Sequence, residues 1–216
     1  MRTDTAHEHW DIQWQDAPTK WTEAEAEVLD WAKGFAPGSR ILDLGAGVGR
    51  HALALARMGH SVDAVDAAAA GLAVIDRLTQ LESLPVATHI GSMTDLPLPD
   101  GSCDHVLSWN VIYHGDETVV RASIAEIRRI LKPGGTFLGT MLSARRLPGE
   151  RALMPGREIS RNTWVFDGEG DKVHPHYFCD ATDLLDLFEG FEPWRLEDKE
   201  HERPGTWHWH LLMERK

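Results

Sequence analysis

A glycine-rich turn constrains the fold of this chain more than any other feature. The turn reads Asp43-Leu44-Gly45-Ala46-Gly47-Val48-Gly49, follows an apolar run at 41–44 and precedes a segment with helical apolar spacing. Glycines at such a turn allow sharp backbone angles and let a ligand approach the main chain, while the start of the helix offers free N–H groups. A strand, a glycine turn and a helix in this order predict an α/β fold with a ligand at the turn.

The spacing within the turn distinguishes between ligands. A dinucleotide fingerprint would place its third glycine at position 50, where the chain has Arg50. The observed spacing is G-x-G-x-G, with Asp43 shortly before the first glycine. A phosphate is disfavoured beside this acid, whereas a ligand with an ammonium or sulfonium group is favoured. An NAD-dependent dehydrogenase is therefore the weakest interpretation.

Strand and helix patterns alternate along the chain. Apolar runs predict strands at 41–44, 61–65, 86–90, 104–108, 136–142, 191–197 and 207–214. Helical spacing follows the first, second and fourth of these strands and is clearest over 117–131. Alternation implies parallel pairing, whereas a polar loop joins the last two strands as an antiparallel hairpin. We predict a doubly wound, seven-stranded α/β sheet that is mainly parallel, with an antiparallel C-terminal hairpin.

The 216 residues are expected to form one domain around one core. Its predicted parts are an N-terminal helical cap at 1–37, a ligand-binding core at 38–142, a lid-like insertion at 143–179, and a C-terminal helix and hairpin at 180–216. In the cap, Trp21, Ala24, Val28 and Trp31 recur at helical spacing. The insertion is polar and long for a plain connection, which is typical of functional loops.

Charge and composition exclude several classes of protein. The chain has 22 Lys+Arg against 34 Asp+Glu, a formal charge of −12, which argues against nucleic acid as a partner. The first residues lack a secretory pattern, and no apolar stretch is long enough for a spanning helix, so we expect a cytoplasmic protein. Cys103 and Cys179 match no zinc or redox spacing and are expected to be free thiols.

Two further segments follow predicted strands at the same edge of the sheet. Asp66 ends the second strand, where an acid can accept hydrogen bonds from ribose hydroxyls. The segment Gly91-Ser92-Met93-Thr94-Asp95-Leu96-Pro97 follows the third strand, where backbone groups and a flat apolar side chain can hold a purine. In this order, the three segments predict a nucleoside ligand.

With these segments in place, the chain resembles the class I S-adenosylmethionine-dependent methyltransferases, the Rossmann-like family, and in particular its small "type 11" group. The motifs that carry the resemblance are ILDLGAGVGRHALALA, VDAVD, GSMTDLPLPDGSCDHVLSWNVIYH and EIRRILKPGGTFLGTML, within 38–142. The resemblance implies S-adenosylmethionine as cofactor and S-adenosylhomocysteine as product. The implied cofactor-binding residues are Asp43, Gly45, Ala46, Gly47, Arg50, Asp66, Ala67, Ser92, Met93 and Asn110.

Catalysis of methyl transfer can rest on in-line positioning and exclusion of water, because a sulfonium is already a strong electrophile. A base is needed only where the acceptor arrives protonated. Tyr113 and His114 follow the fourth strand, at the edge where such folds bind ligands, and are the candidate catalytic residues. The imidazole of His114 suits proton removal, although it could also merely line the pocket.

The candidate acceptor-binding residues lie in the cap, the insertion and the last strand. They are Trp14, Arg157, Asn162, His176 and His208. The pairs His174/His176 and His208/His210 could also form a metal site, but we expect pocket lining and no metal.

The expected acceptor is a small molecule that offers an oxygen, nitrogen or sulfur atom. No Asn-Pro-Pro-Tyr or Asp-Pro-Pro-Tyr follows the fourth strand, and no Pro-Cys nucleophile stands there. Two alternatives stay open: methylation of protein or RNA, and a non-catalytic S-adenosylmethionine-binding module. The protein is expected to be a monomer or homodimer.

Overall fold

Ten strands join in one sheet within residues 3–15, 22–201 and 203–216, which the computed structural model describes. The strands are β1 Arg40–Leu44, β2 Ser61–Asp66, β3 Val86–Ile90, β4 Cys103–Ser108, β5 Leu131–Ser143, β6 Gly156–Ser160, β7 Thr163–Phe166, β8 His176–Cys179, β9 Phe191–Glu200 and β10 Trp207–Arg215. The helices are α1 His7–Gln13, α2 Ala26–Ala32, α3 Arg50–Arg57, α4 Ala69–Glu82, α5 Glu117–Ile130, α6 Leu147–Leu153 and α7 Ala181–Leu187.

Seven of the strands form the predicted doubly wound sheet. Their order is β3-β2-β1-β4-β5-β10-β9. The pairs from β3 to β5 are parallel, while β10 runs antiparallel to both β5 and β9. The predicted fold class is thereby confirmed, including the antiparallel C-terminal hairpin. The strand order reverses between β1 and β4, which opens a crevice at their carboxyl ends.

The other three strands come from the segment between β5 and α7. A hairpin of β6 and β7 pairs with β8, and β8 runs parallel to the last residues of β5. Every residue of β6 is exposed, so its sequence carries no alternation of apolar and polar side chains. The sequence did not predict these strands because period-2 alternation arises only where one face of a strand is buried.

Helices cover both faces of the sheet. Helices α2, α3 and α4 bury apolar side chains against one face, and α5 and α7 against the other. Along β1, Leu42 and Leu44 belong to the α5 side, whereas Ile41 packs on the α3 side. Because side chains alternate along a strand, Asp43 shares the α3 side with Ile41.

In the segment expected as an N-terminal helical cap, 1–37, the described residues form two short helices. Helix α1 begins at His7 and ends at Gln13, α2 spans Ala26–Ala32, and Trp21 lies outside the described residues. Helix α1 packs on the start of α4, where the Asp11 carboxylate accepts a hydrogen bond from the Ala70 N–H at 3.0 Å. This contact places the N-terminal segment beside the glycine turn.

The C-terminal helix and the cysteines agree with expectation. The Asp180 carboxylate accepts hydrogen bonds from the backbone at the start of α7, and Asp183 completes the capping box. Cys103 and Cys179 are buried and free. Within the described ranges, no helix has the length and apolar content to cross a bilayer.

Candidate active site

A cavity of about 460 Å³ lies at the carboxyl ends of β1, β2 and β4. This volume falls in the range of ligand-binding clefts. The cavity brings together most of the predicted site residues. Those that line it are Trp14, Gly45, Ala46, Gly47, Arg50, Asp66, Ala67, Ser92, Met93, Asn110, Tyr113, His114, His176 and His208.

The glycine turn forms one end of the cavity. Gly45 and Gly47 have φ values of 75° and 54°, a region that side chains disfavour. A Cβ at Gly45 would overlap the side chain of Val111, and one at Gly47 would lie 3.3 Å from Cζ2 of Trp14. The absent side chains therefore let Val111 and Trp14 pack closely against the turn, whose backbone lines the cavity.

Asp66 ties the turn to β2. Its two carboxylate oxygens accept hydrogen bonds from the N–H groups of Gly47 at 2.7 Å and Ala68 at 2.8 Å. Burial raises the pKa of Asp66, and these hydrogen bonds partly oppose that rise. The side chain lines the cavity and retains lone pairs for ligand hydroxyls.

Asp43 does not line the cavity, unlike its neighbours in the motif. Its side chain is 1% exposed, and its carboxylate accepts a hydrogen bond from the Ala52 N–H at 2.9 Å. The residue lies on the α3 side of β1, so its carboxylate binds the first turn of that helix instead of facing a ligand. Burial raises the pKa of Asp43 to about 7.

The middle of the cavity is formed after β3 and β4. The Ser92 hydroxyl pairs with Thr94 Oγ1 at 2.9 Å, and Met93 packs on the apolar core. Asn110 has a φ of 62° and is held by Thr140, whose hydroxyl accepts from the Asn110 N–H and donates to its Oδ1. This clamp fixes the strained turn that follows β4.

His114, His176 and Asp171 meet at the far end of the cavity. Nε2 of His114 and Nε2 of His176 lie 3.6 Å and 3.5 Å from Oδ2 of Asp171. Both histidines are buried, at 7% and 1% exposure. Burial alone would raise the pKa of Asp171, but the two imidazoles outweigh it and keep that pKa well below its usual value.

The same end contains Tyr113, the second candidate catalytic residue. Its ring lies 4.7 Å from that of His114 and 5.9 Å from that of His176, measured between centroids. Burial raises the pKa of Tyr113, so the phenol stays protonated at neutral pH. Burial also lowers the pKa of His114, and Asp171 partly opposes this effect. The imidazole of His114 is therefore neutral at neutral pH.

His208 adjoins a buried cluster of charges. Its Nδ1 donates to the Thr206 carbonyl at 2.8 Å, and its Nε2 lies 3.2 Å from Nη1 of Arg146. The Glu150 carboxylate forms ion pairs with Arg146 at 2.6 Å and with Lys172 at 2.9 Å. Burial and the nearby cations lower the pKa of His208 to about 2. The imidazole is therefore neutral, and its Nε2 accepts a hydrogen bond from Arg146.

Two predicted acceptor-binding residues are not brought to the cavity. Arg157 is exposed on the hairpin strand β6, which turns outward. The Asn162 amide donates to Asp183 at 2.8 Å, next to the start of α7. Both residues lie in the polar insertion, where sequence spacing cannot say which side chains turn inward.

Of the four histidines expected to line the pocket, His176 and His208 do so, whereas His174 and His210 do not, and the alternative of a metal site made by all four is not supported. His174 Nδ1 pairs with the Thr5 hydroxyl at 2.9 Å, and His210 Nδ1 lies 2.8 Å from Oε2 of Glu27. Among the described residues, the only group with metal-ligand spacing is His114, Asp171 and His176.

Sequence reasoning missed several residues that line the cavity. These are Asp4, His7, His9, His51, Trp109, Arg146, Asp171, Lys172, His201, Arg203 and Thr206. Asp171 stands only a few residues before His174-Pro175-His176 in an Asp-Lys-Val turn. That proximity was a usable signal, because the acid and the histidines occupy one short connection.

The fold and the cavity define a class of protein. A methyltransferase-domain family matches residues 41–135, the part that contains the glycine turn, Asp66 and Asn110. Over these residues the chain belongs to that methyltransferase-domain family, and its overall fold is that of the class I S-adenosylmethionine-dependent methyltransferases.

The sequence is also similar to that of individual methyltransferases. The chain is 37% identical over 154 residues to the ubiquinone biosynthesis O-methyltransferase of Xanthomonas campestris pv. campestris, a match that covers 68% of this chain and 61% of the relative. The chain thus spans less than two thirds of that relative's length.

Solved structures share the fold at low sequence identity. An S-adenosylmethionine-dependent methyltransferase structure from Methanosarcina mazei superposes with a TM-score of 0.74 at 18% identity, covering 89% of this chain and 98% of that one. The 1,6-didemethyltoxoflavin-N1-methyltransferase of Burkholderia thailandensis, solved with 1,6-didemethyltoxoflavin and S-adenosylhomocysteine, gives 0.69 at 18% identity, covering 98% and 84%.

S-adenosylmethionine, the cofactor of this class, fits the residues present. The glycine turn lines the cavity, and a Cβ at Gly45 would collide with Val111, so the turn can take this conformation only with glycine there. Asp66 offers carboxylate oxygens on the cavity wall, and Ser92 and Met93 line the next segment. The predicted cofactor is therefore confirmed at the level of the family and agrees with the shape of the site.

Proposed function

We propose that this chain transfers a methyl group from S-adenosylmethionine to an oxygen, nitrogen or sulfur atom of a small molecule by in-line displacement. The observation that carries the proposal is that one cavity joins the glycine turn at one end to His114 and His176 at the other. A cavity of about 460 Å³ suits a metabolite better than a polymer. The names of the relatives, which act on small molecules, support the same class of acceptor.

We assign the cofactor to the end with the glycine turn. The backbone at 45–47 would flank its methionine part, Asp66 would bind its ribose and Ser92 with Met93 its adenine. Asn110, fixed by Thr140, would face the position next to the methyl donor. When bound, S-adenosylmethionine supplies a methyl group on a positively charged sulfur atom.

The chain's own residues orient the acceptor and exclude water. Trp14 lies over the glycine turn, and the insertion contributes Asp171 and His176 to the opposite wall. The Thr5 hydroxyl and His174 connect these two covering segments. We infer that the insertion and the N-terminal segment together shield the reacting atoms from water. Holding the acceptor and the cofactor in one orientation also raises the effective concentration of the reacting groups.

His114 is the proposed group for an acceptor that arrives protonated. Its Nε2 is buried with no hydrogen-bond partner, faces Asp171 and lies on the cavity wall. A buried, neutral imidazole beside a carboxylate can take a proton at neutral pH, and the carboxylate then stabilises the imidazolium. Tyr113, which stays protonated, packs against this imidazole and orients it.

We further propose a cytoplasmic monomer or homodimer without a nucleic acid or membrane partner. The formal charge of −12 supports this, because phosphate backbones require a basic surface. Methylation of protein or RNA would need an open groove, whereas the described cavity is covered by α1 and by the insertion.

The test uses purified protein with methyl-labelled S-adenosylmethionine and a fractionated cell extract. Label in the small-molecule fraction, with release of S-adenosylhomocysteine, is the expected result and gives the mass of the acceptor. Label in protein or RNA would refute the small-molecule acceptor. Cofactor binding with no transfer to any fraction would refute turnover and favour a non-catalytic binding module.

A variant pair then tests His114 with the acceptor so identified. For an acceptor with an ionisable proton, His114→Gln is expected to lower kcat by about 10²- to 10⁴-fold, because proton transfer is lost. S-adenosylhomocysteine affinity should stay within about twofold, since the cofactor end is untouched. His208→Gln, at the side of the cavity, should change KM more than kcat. Equal effects of both variants on kcat would contradict the assignment.

A further inference from the structure

We propose that His114, Asp171 and His176 bind a divalent transition-metal ion such as Zn²⁺ at the acceptor end of the cavity. The inference deepens the proposed function and rests on it for the position of the acceptor. The two imidazole nitrogens and the carboxylate oxygen all lie within 4.8 Å of one another. Imidazole and carboxylate are common ligands of such ions.

The distances are wrong for direct hydrogen bonds and close to those around a metal. The separations of 3.6 Å and 3.5 Å from Oδ2 of Asp171 exceed the usual N–H···O range. With metal–ligand bonds of about 2.0–2.2 Å, two ligand atoms of a tetrahedral site stand roughly 3.3–3.6 Å apart. Both distances to Asp171 are within this range, and the two imidazole nitrogens, which lie within 4.8 Å of each other, would close around the ion.

The far side of the His176 ring is held as that of a metal-binding histidine is held. Nδ1 of His176 donates to the carbonyl of His174 at 2.9 Å, which leaves the lone pair on Nε2. His114 is fixed through its backbone, whose N–H donates to the carbonyl of Val111 at 3.0 Å. Histidine ligands commonly donate their second N–H to a carbonyl or carboxylate in this way, which fixes both tautomer and ring direction.

Burial makes an unpartnered nitrogen costly unless something binds it. Nε2 of His114 has no hydrogen-bond partner within the described structure, and the residue is 7% exposed. A buried polar atom without a partner destabilises the folded state, because it has lost its hydrogen bonds to water. A cation between the two imidazoles and the carboxylate would satisfy all three atoms together.

Three protein ligands leave a coordination position for the acceptor. All three side chains line the same cavity as Asn110, so an acceptor in that cavity can take the remaining coordination position. A hydroxyl bound to the ion would lose its proton to solvent water more readily, as metal-bound water does. Its oxygen would keep the electron pair that forms the bond to the methyl carbon, while the bond from that carbon to the sulfur of the cofactor breaks and S-adenosylhomocysteine leaves. With the cation bound, His114 is a ligand; without it, His114 is the base.

Co²⁺ serves as the probe, because its visible absorption reports coordination by nitrogen and oxygen. The full chain, produced without a polyhistidine tag, is stripped with chelator, and Co²⁺ is titrated by calorimetry and absorption. We expect one site per chain. His176→Ala and Asp171→Asn should each weaken binding by about 100-fold or more, since they remove a ligand. The matched control, His208→Ala, removes an imidazole of the same cavity outside the site and should bind as the unaltered chain does.

The outcomes separate this inference from the proposed function. Equal Co²⁺ affinity of the unaltered chain and His176→Ala, or equal loss in His208→Ala, would overturn the metal site. S-adenosylhomocysteine affinity checks that each variant is folded. Methyl transfer without a metal site would leave His114 as the base, whereas a metal site without methyl transfer would refute the proposed function alone.

Discussion

At the scale of single residues, burial sets the protonation states along the cavity. Burial raises the pKa of Tyr113 and lowers that of His208 to about 2, so both are neutral at physiological pH. Asp171 remains ionised because two imidazoles surround it. Neutral and ionised polar side chains thus stand side by side at the acceptor end. Such shifted pKa values are common at functional sites.

Asp43 provides a stability test of the same effect. Its pKa in the native state is about 7, against 3.8 as the ordinary value. Between these pH values the native state binds more protons than the unfolded state, so the contribution of Asp43 to stability falls as pH rises. Asp43→Asn mimics the protonated acid. The free energy of unfolding of this variant, minus that of the unaltered chain, should therefore be about 2–4 kcal/mol larger at about pH 8 than at about pH 5. Urea unfolding of both proteins at each pH measures the difference, and identical pH profiles would contradict the raised pKa.

At the scale of elements, the first turn of α4 supports the glycine turn from below. A Cβ at Gly71 would overlap the carbonyl oxygen of Gly47 and lie 3.1 Å from Cδ1 of Trp14. Gly71 is buried in the helix, so close approach of two backbones explains its lack of a side chain. The position of the cofactor cradle therefore depends on packing between α4 and the turn.

We expect Gly71→Ala to displace the glycine turn and to weaken S-adenosylhomocysteine binding by about tenfold or more, a cost of at least about 1.4 kcal/mol. Gly149→Ala is the matched control, because Gly149 is also helical and a Cβ there meets nothing within 4 Å. That control should leave affinity unchanged and add up to about 1 kcal/mol of stability. Calorimetric titration compares the two variants, and equal affinities would show that the turn tolerates the added methyl group.

At the scale of the whole molecule, the cavity is closed by segments that are far apart in sequence. The Thr5 hydroxyl meets His174 across a separation of 169 residues, and the Asp116 N–H donates to the Thr3 hydroxyl. Helix α1 itself has no buried residue, in contrast to α3 and α5. The covering segments are therefore expected to open more easily than the sheet.

Cofactor binding should consequently protect these segments more than the rest of the fold. We expect S-adenosylhomocysteine to raise the melting temperature through binding linkage and to slow amide exchange in α1 and in the segment around Asp171. Amides of β9, which does not line the cavity, should change little. Hydrogen exchange followed by mass spectrometry measures each segment, and uniform protection would contradict closure by these two segments.

Local pattern determined the seven predicted strands and the glycine turn. Apolar runs, helical spacing and glycines each act over a few neighbouring residues, so they can be recognised without knowing what lies opposite. The same applies to Asp66 and Asn110, which stand directly after strands and therefore at the ligand edge. These residues carried the cofactor prediction.

Only the tertiary structure decided which polar side chains turn inward. Asp43 follows the alternation of β1 under α3, Arg157 lies on an exposed strand, and Asp171 reaches His114 from a separate segment. Whether a side chain enters the cavity depends on strand pairing and on how the insertion folds back along β5. Those contacts join residues remote in sequence, and local spacing holds no information about them. The sequence by itself determined the cofactor end of the site, and the tertiary structure decided the acceptor end.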